Sequence, residues 1–277
     1  MANQQNMSKK IKRAIISLSD KTDLKLILKA LKKYNTKIIS SGGTSIAIKK
    51  LGYKCTEIAR YTNSDEILDG RVKTLHPKIY GGILSKRGNR KHERELKIND
   101  YSEIDLVIVN FYPFEETLKN TKKQKKIIEN IDIGGPTLVR AAAKNFNDTT
   151  VLTSPYQYKE FILDLQKNYG STSLKLRKKL SQEAFNLTAY YDSVISEYLS
   201  LENNDYFPQK KTIHGNLIET LRYGENPHQK SAIYSKNNNL NISQLSGKKL
   251  SYNNYNDIYA ALKISKTLPR NIGTVIV

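Results

Sequence analysis

Charged and hydroxyl side chains that could hold an anion recur throughout this sequence, most densely in the stretch "GRVKTLHPK" at 70–78. Arg71 can grip a phosphate or carboxylate with two hydrogen bonds, whereas Lys73 supplies a compact charge and, if its pKa falls, an acid or a base. We interpret the stretch as an anion-binding loop. The alternative is a solvated basic loop, and His76 could be either a ligand or a hydrogen-bonded structural residue.

Two polar turns follow predicted strands and suit a phosphate group. Glycines let backbone N–H groups approach an anion, and the start of a helix adds a partial positive charge. An ordinary helix N-cap would also explain the second turn on its own. The residues are Ser17, Ser19, Lys21 and Thr22 after the first strand, and Ser41, Gly42, Gly43 and Thr44 after the second.

A third strand and a glycine turn add groups that could act at a reacting carbonyl. Asn110 and Tyr112 follow the strand, and "IDIGGPTLVRAAAKN" contributes Asp132, a Gly134–Gly135 turn with free N–H groups, and Lys144. Spacing alone would also allow Lys144 to be a cation near a helix end. Ligands of parallel α/β sheets bind beyond the carboxyl ends of the strands, so these groups are expected at one edge.

Strands and helices alternate in the part of the chain that carries these residues. "RAIISLSD" and "TKIIS" predict strands, each followed by a helix with apolar residues at three-to-four spacing. Residues 105–114 predict a continuously buried strand, and residues 149–155 a further one. Helices are predicted from near Pro136 and over 173–201. This order predicts an α/β fold with a mostly parallel sheet.

The composition changes after Leu201, where an Asn-rich stretch follows. We assign residues 1–201 to the first domain, 202–211 to a linker, and 212–277 to the beginning of an incomplete α+β second domain. The final residues "GTVIV" predict a buried strand.

The overall charge favours anionic partners. The chain has 277 residues, a formal net charge of +20 and a pI near 9.7. Its lysines are scattered along predicted helices, which indicates a solvated surface that attracts small anions rather than a nucleic-acid-binding face. Cys55 is alone and the histidines at 76, 92, 214 and 228 are dispersed, so neither a disulfide nor a metal site is predicted. No apolar run is long enough to span a membrane, and a cytoplasmic protein is expected.

Six motifs in this order resemble the family of bifunctional purine biosynthesis proteins, which join IMP cyclohydrolase to AICAR transformylase. They are "SLSDKT", "SSGGT", "GRVKTLHPKIYGGIL", "VNFYPF", "IDIGGPTLVRAAAKN" and "LRYGENPHQ". One departure is Asp23, where the family usually has glycine.

The resemblance implies a methylglyoxal-synthase-like three-layer fold that closes formyl-AICAR to IMP with loss of water, using neither metal nor organic cofactor. It implies catalytic roles for Lys73, Tyr112, Asp132 and Lys144. These residue types suit ring closure, and we expect Asp132 paired with Lys144 to accept and relay a proton, because each partner holds the other's ionisation state. The nucleotide would be held by Ser17, Ser19, Lys21, Thr22, Ser41, Gly42, Gly43, Thr44, Arg71, Thr74 and Asn110, and its reacting end would meet Ile133, Gly134 and Gly135.

For the second activity, the resemblance implies that Arg222 and Tyr223 contact AICAR and that 10-formyltetrahydrofolate is the cosubstrate. We expect no formyl transfer by this chain alone, because the family's catalytic lysine–histidine pair follows the last residues present. A homodimer is also implied. The alternatives are a methylglyoxal-synthase-like, phosphate-releasing lyase on the same fold and a basic nucleic-acid-binding protein.

Overall fold

The computed structural model describes residues 8–236 and 239–277. The strands are β1 (Lys9–Lys10), β2 (Arg13–Ser17), β3 (Lys37–Ser40), β4 (Thr56–Glu57), β5 (Leu106–Val109), β6 (Thr150–Leu152), β7 (Ser171–Thr172), β8 (Asn216–Thr220) and β9 (Ala232–Ser235). The helices are α1 (Leu24–Lys33), α2 (Gly42–Lys50), α3 (Ile58–Thr62), α4 (Pro77–Leu84), α5 (Arg90–Ile98), α6 (Phe114–Asn120), α7 (Gln124–Glu129), α8 (Gly134–Lys144), α9 (Tyr158–Lys167), α10 (Leu174–Glu202) and α11 (Tyr252–Ser265), with a 3₁₀ turn at Pro155–Gln157.

A five-stranded sheet with the order β4-β3-β2-β5-β6 forms the centre of the first unit. All of its neighbouring strands run parallel, with Ile15 of β2 opposite Ile39 of β3 and Val107 of β5. The predicted α/β fold with a mostly parallel sheet is therefore confirmed. Every residue of β5 is buried, as expected for a strand covered on both faces.

The helices bury their apolar faces in the same core. In α1 the buried residues are Leu24, Ile27, Leu28 and Leu31, which recur at the three-to-four spacing seen in the sequence. A separate antiparallel pair joins β1 to β7. Beside it lies Arg177 of α10, fully buried, which donates hydrogen bonds to the carbonyls of Phe146 at 2.7 Å and Asn147 at 3.0 Å.

The third strand is shorter than the sequence pattern predicts. β5 ends at Val109 rather than near Phe114, and Phe114 instead begins α6. Two residues account for the difference: the side chain of Asn110 hydrogen-bonds a neighbouring turn, and Pro113 provides the N-cap of α6. The helix predicted from near Pro136 begins slightly earlier, at Gly134.

The chain divides into two compact units, the first ending at Ile195 and the second beginning at Ser196 within α10. The second unit contains the antiparallel pair β8–β9 and α11. The strand predicted for the last residues is wrong: "GTVIV" has no regular structure, and Ile276 is 90% exposed. No strand among the described residues offers these residues a partner. Within the same described ranges, no helix has the length and apolar character needed to cross a membrane.

Candidate active site

The turns that follow β2 and β3 are joined by Thr44. Its buried hydroxyl accepts a hydrogen bond from Leu18 N at 2.9 Å and donates one to Leu18 O at 3.0 Å. Lys21 reaches the second turn, since its Nζ would lie 4.0 Å from a Cβ atom added to Gly43. The structure thus brings together the two turns that the sequence predicted to form one phosphate site.

Ser41 lies at the N-cap of α2 but does not cap it through its side chain. The next residue, Gly42, has a φ of +52°, in the left-handed region that glycine adopts with the least strain. Nothing lies within 4 Å of a Cβ atom added to Gly42, so the surface in front of the turn is open. A capping role therefore does not account for Ser41, and its hydroxyl is available to a ligand at the start of the helix.

Asn110 fixes the first turn instead of presenting its side chain to solvent. Its Oδ1 accepts from Ser19 N at 2.7 Å and from Asp20 N at 3.1 Å, and its Nδ2 donates to Asp20 O at 2.7 Å. All parts of the side-chain amide are thus engaged with the backbone. Ser17, at the end of β2, pairs in register with Val109, the last residue of β5.

The remainder of the first turn is organised by a carboxylate. Asp20 accepts hydrogen bonds from Thr22 N at 2.8 Å and from the Thr22 hydroxyl at 2.6 Å, and these bonds lower the pKa of Asp20. Asp23 follows with a φ of +56°, again in the left-handed region. The departure from the family pattern therefore falls at a position where glycine would be unstrained.

The two cations of the 70–76 loop are each paired with a carboxylate. Arg71 donates from Nε to Glu129 Oε1 at 3.2 Å and also from Nη2 to Oε2, and Lys73 Nζ lies 2.8 Å from Glu66 Oε2. All four side chains are at least one-third exposed. An anionic ligand at either cation would therefore compete with an acidic side chain of the protein.

His76 has a structural position. It lies at the N-cap of α4, and its Nδ1 accepts a hydrogen bond from Lys78 N at 3.1 Å, with Pro77 in the first turn. This arrangement supports the structural interpretation of His76. Thr74, two residues earlier, is buried at 7% exposure, and its Oγ1 would lie 2.8 Å from a Cβ atom added to Gly134.

Asp132 is the predicted catalytic group with the most distinctive surroundings. Its Oδ1 accepts from Gly135 N at 2.8 Å, and a Cβ atom added to Gly135 would lie 2.4 Å from its Oδ2. Burial raises the pKa of Asp132, although the backbone N–H groups of Gly135 and Tyr112 partly oppose the rise. The carboxylate is therefore a stronger base than an exposed aspartate.

The glycine turn beside Asp132 differs in detail from the predicted oxyanion site. Gly135 N already donates its hydrogen bond to Asp132, so a ligand at this turn can use the N–H of Gly134 but not that of Gly135. Tyr112 and Ile133 flank this turn with exposures of 52% and 58%, so both side chains are accessible to a ligand.

The expected ion pair between Asp132 and Lys144 is not formed. Lys144 occupies the last turn of α8 and is exposed, whereas Asp132 precedes the first turn. A helix rises 1.5 Å per residue, so about 15 Å of helix axis separates the two ends. The position of Lys144 is that of a cation at a helix C-terminus. The catalytic role that the resemblance implies for it stays a prediction.

Tyr191 of α10 is a site residue that sequence reasoning missed. Its hydroxyl accepts a hydrogen bond from Asp132 N at 2.8 Å and donates to Asn130 O at 3.4 Å. Its ring packs edge-on against Phe111, with 5.1 Å between the centroids. Burial raises the pKa of Tyr191 to about 12. Only a long-range contact reveals this role, because the sequence around Tyr191 reads as an ordinary helix.

The second unit carries the pair implied to contact AICAR. The guanidinium of Arg222 lies over the ring of Tyr223, 4.8 Å from its centroid, and Arg222 Nη2 donates to the Tyr223 hydroxyl at 3.1 Å. Across the described ranges of both units, no group of three or more histidine, cysteine, aspartate or glutamate side chains is placed to hold a metal ion.

Comparison with known proteins finds matches along most of the chain. A family model described as an MGS-like domain matches residues 23–137, and one described as the AICARFT/IMPCHase bienzyme matches residues 142–277. The bifunctional purine biosynthesis protein PurH of Rippkaea orientalis is 45% identical over 260 residues, which cover 91% of this chain and 50% of the relative. PurH of Listeria monocytogenes serotype 4a is 42% identical over 272 residues, covering 96% and 53%. The crystal structure of ForH matches with a TM-score of 0.61 and 28% identity, covering 68% of this chain and 98% of that one.

A parallel sheet with helices packed against it, matched by the MGS-like model, places the first unit in the MGS-like class of α/β domains. The whole chain, through both units, belongs to the family of bifunctional purine biosynthesis proteins. It spans about half the length of the curated relatives that it matches.

Proposed function

We propose that the first unit closes formyl-AICAR to IMP with loss of water. The observation that carries the proposal is the position of Asp132, a largely buried carboxylate with a raised pKa, held at the start of α8 on a sheet whose neighbouring turns suit a phosphate. A ribotide has a phosphate at one end and the reacting carboxamide at the other. The turns that carry Lys21 and Thr44, which a hydrogen bond from Leu18 to Thr44 joins, would hold the phosphate end.

The chemistry of ring closure matches the groups at the other end. The carboxamide nitrogen forms a bond to the formyl carbon and loses a proton, for which Asp132 is the proposed acceptor. The formyl oxygen gains negative charge as this bond forms, and the N–H of Gly134 together with Lys73 or Tyr112 would stabilise it. That oxygen takes up the proton that Asp132 accepted and becomes a hydroxyl group. The formamide nitrogen then gives up its own proton to this hydroxyl and forms a double bond to the same carbon, so that the carbon–oxygen bond breaks and water leaves. Holding both ends of one substrate would supply much of the acceleration.

The cations of the 70–76 loop would take part by exchanging partners. Arg71 and Lys73 are paired with Glu129 and Glu66 in this structure. We propose that Arg71 leaves Glu129 for an anionic group of the ribotide and that Lys73 turns from Glu66 towards the reacting centre. Surface ion pairs contribute little stability, so such an exchange is inexpensive.

The proposal is tested by following IMP formation from formyl-AICAR by absorbance, with Asp132→Asn as the variant. Loss of a catalytic base typically costs 10²–10⁴-fold in rate, and we expect a decrease in kcat of at least about 100-fold. Asp192→Asn is the matched control, because Asp192 is an exposed carboxylate on α10, and it should retain the wild-type rate. Wild-type protein that forms no IMP, or Asp132→Asn protein that folds and turns over normally, would contradict the proposal.

A second candidate follows from the match to the MGS-like model over residues 23–137. Proteins of that fold could release phosphate from dihydroxyacetone phosphate. The phosphate turns fit both reactions, but the lyase leaves Tyr112 and the glycine turn beside Asp132 unexplained. We therefore expect no release of inorganic phosphate from dihydroxyacetone phosphate under conditions in which IMP is formed.

Further proposals concern the rest of the molecule. We propose that the protein acts in the cytoplasm as a homodimer, as the resemblance implies. The family description includes AICAR formyl transfer, for which 10-formyltetrahydrofolate would be the cosubstrate. Arg222 and Tyr223 are the candidates in this chain for contact with AICAR in that reaction. A folate-dependent assay that starts from AICAR measures this activity separately from ring closure.

A further inference from the structure

The hydroxyl of Tyr80 is buried near the candidate active site and has no hydrogen-bond partner among the described residues. Tyr80 belongs to α4, and its ring packs against the hydrophobic core of the first unit. A buried polar group without a partner costs free energy, so such groups are uncommon in native proteins and require an explanation. Tyr158 carries the other such side-chain hydroxyl in the described ranges.

Two threonine hydroxyls lie beside the Tyr80 hydroxyl, those of Thr74 and Thr137, and the charge of Asp132 is also near. Neither threonine meets the distance and angle of a hydrogen bond to Tyr80. The Thr137 hydroxyl donates to the backbone oxygens of the preceding turn, at 2.5 Å to Ile133 O and 3.2 Å to Gly134 O. Its proton is therefore engaged, and Thr74 is the threonine that can give its proton to a ligand.

Thr74 belongs to the same wall as the proposed base. Its Oγ1 would lie 2.8 Å from a Cβ atom added to Gly134, while Asp132 Oδ2 would lie 2.4 Å from one added to Gly135. Thr74 and Asp132 therefore lie in space beside the two successive glycines of the turn. The buried hydroxyl of Tyr80 lies next to Thr74, which keeps 7% of its surface exposed.

We propose that Tyr80 is a positioning residue for ring closure, whose hydroxyl donates a hydrogen bond to Thr74 Oγ1 while Thr74 donates its own proton to an oxygen of the bound ribotide. This inference rests on the proposed function. Each proton stays on its own oxygen, so no bond is made or broken in the relay. Hydrogen bonds in series polarise one another, so Tyr80 would strengthen the contact that Thr74 makes.

Two properties of Tyr80 suit this role. Burial raises the pKa of the Tyr80 phenol, which therefore keeps its proton at neutral pH and acts as a donor. The packing of the ring against the core holds the hydroxyl in place, so little ordering is needed when the ligand arrives.

The test combines the variants Tyr80→Phe and Thr74→Val, singly and together, with measurements of kcat, KM and melting temperature. One cooperative hydrogen bond corresponds to a decrease of roughly 5- to 10-fold in kcat/KM, which we expect for Tyr80→Phe when Thr74 is present. In the Thr74→Val background, Tyr80→Phe should have no further effect. The melting temperature of Tyr80→Phe should be unchanged or higher, because the variant loses a buried hydroxyl that has no partner.

Tyr158→Phe is the matched control. It removes the other buried hydroxyl without a partner, whose nearby charges are Asp20 and Asp23 rather than Asp132. We expect the same direction of change in melting temperature and a wild-type kcat/KM. An equal loss of activity in Tyr158→Phe, or an equal effect of Tyr80→Phe with and without Thr74, would overturn the relay.

The failure of the relay is distinguishable from that of the function. If the wild-type protein forms IMP and Tyr80→Phe forms it at the same rate, the relay is overturned and the proposed function stands. If the wild-type protein forms no IMP, the proposed function fails, and the relay is then tested by the dissociation constant of IMP. A dissociation constant that Tyr80→Phe leaves unchanged overturns the relay. A several-fold increase in that constant supports the relay. Wild-type protein that neither forms nor binds IMP would overturn both.

Discussion

At the scale of single residues, Asp132 connects structure and chemistry most directly. Burial disfavours its charged form and raises its pKa. The hydrogen bonds that it accepts from two backbone N–H groups lower the pKa, but by less than burial raises it. Both effects come from neighbours that the fold supplies, namely the glycine turn and the backbone at Tyr112. The side chain was predictable from the sequence as a candidate, but its raised pKa was not.

This raised pKa predicts the pH dependence of the reaction. Asp132 must be ionised to accept a proton, and a pKa above that of an ordinary aspartate moves the loss of activity to higher pH. We therefore expect kcat/KM to fall on acidification with an apparent pKa above the usual aspartate value of about 3.9. The profile of Asp132→Asn should lack this limb. An acidic limb that persists unchanged in Asp132→Asn would assign the titration to another group.

Asp23 gives a second prediction at the same scale. Its φ of +56° is strained for most residues with a Cβ atom, tolerated by aspartate and unstrained for glycine. We expect Asp23→Ala to lower the free energy of unfolding by about 1 kcal/mol, whereas Asp23→Gly should leave it unchanged or slightly higher. Urea unfolding of both variants measures the difference. Equal stabilities for the two variants would show that the left-handed turn has no cost.

At the scale of elements, α10 supports the site from a distance. The hydroxyl of Tyr191 accepts a hydrogen bond from the backbone N–H of Asp132, and the ring of Tyr191 packs against Phe111. The turn that bears Asp132 and the turn that follows β5 are therefore held by one side chain of a third element.

Tyr191→Phe tests this support, because it removes the hydroxyl and keeps the ring. We expect a loss of roughly 1 kcal/mol in stability and a several-fold fall in kcat with little change in KM, since Asp132 would lose its fixed position. Tyr190→Phe is the control: Tyr190 is its neighbour, and its hydroxyl donates to Glu115 Oε1 at 2.8 Å. A decrease in kcat of the same size in Tyr190→Phe would indicate a general effect on α10.

Elements with local signals were predictable from the sequence, and those that depend on distant contacts were not. The periodicity of α1 and the apolar run of β2 suffice to predict both, because burial requires those patterns. The apolar run at 105–114 continues past the end of β5, since Asn110 turns to bind the backbone near Ser19. No local pattern contains that contact, nor does one reveal that Arg177 is buried.

The candidate site divides in the same way. The turns with Lys21 and Gly43 were predicted to act together, because parallel strands bring their carboxyl ends to one edge. The pair of Asp132 with Lys144 was not a safe expectation, because the length of α8 separates its two ends. The acidic partners of Arg71 and Lys73 were also missed, since charges distant in sequence carry no local signal.

At the scale of the whole molecule, the formal net charge of +20 gives the site a favourable setting for an anionic substrate. A positive surface raises the local concentration of anions, and we propose that the turns at the edge of the sheet bind the phosphate group of the substrate. The central claim is that one edge of this sheet holds both ends of a ribotide.

A crystal structure of the protein with IMP tests that claim most directly. We predict the phosphate within hydrogen-bonding distance of the backbone at Gly43 and of Lys21 Nζ, and the purine ring against the glycine turn beside Asp132, with Arg71 released from Glu129. IMP bound at any other surface, or bound here with Asp132 facing away from the ring, would contradict the account.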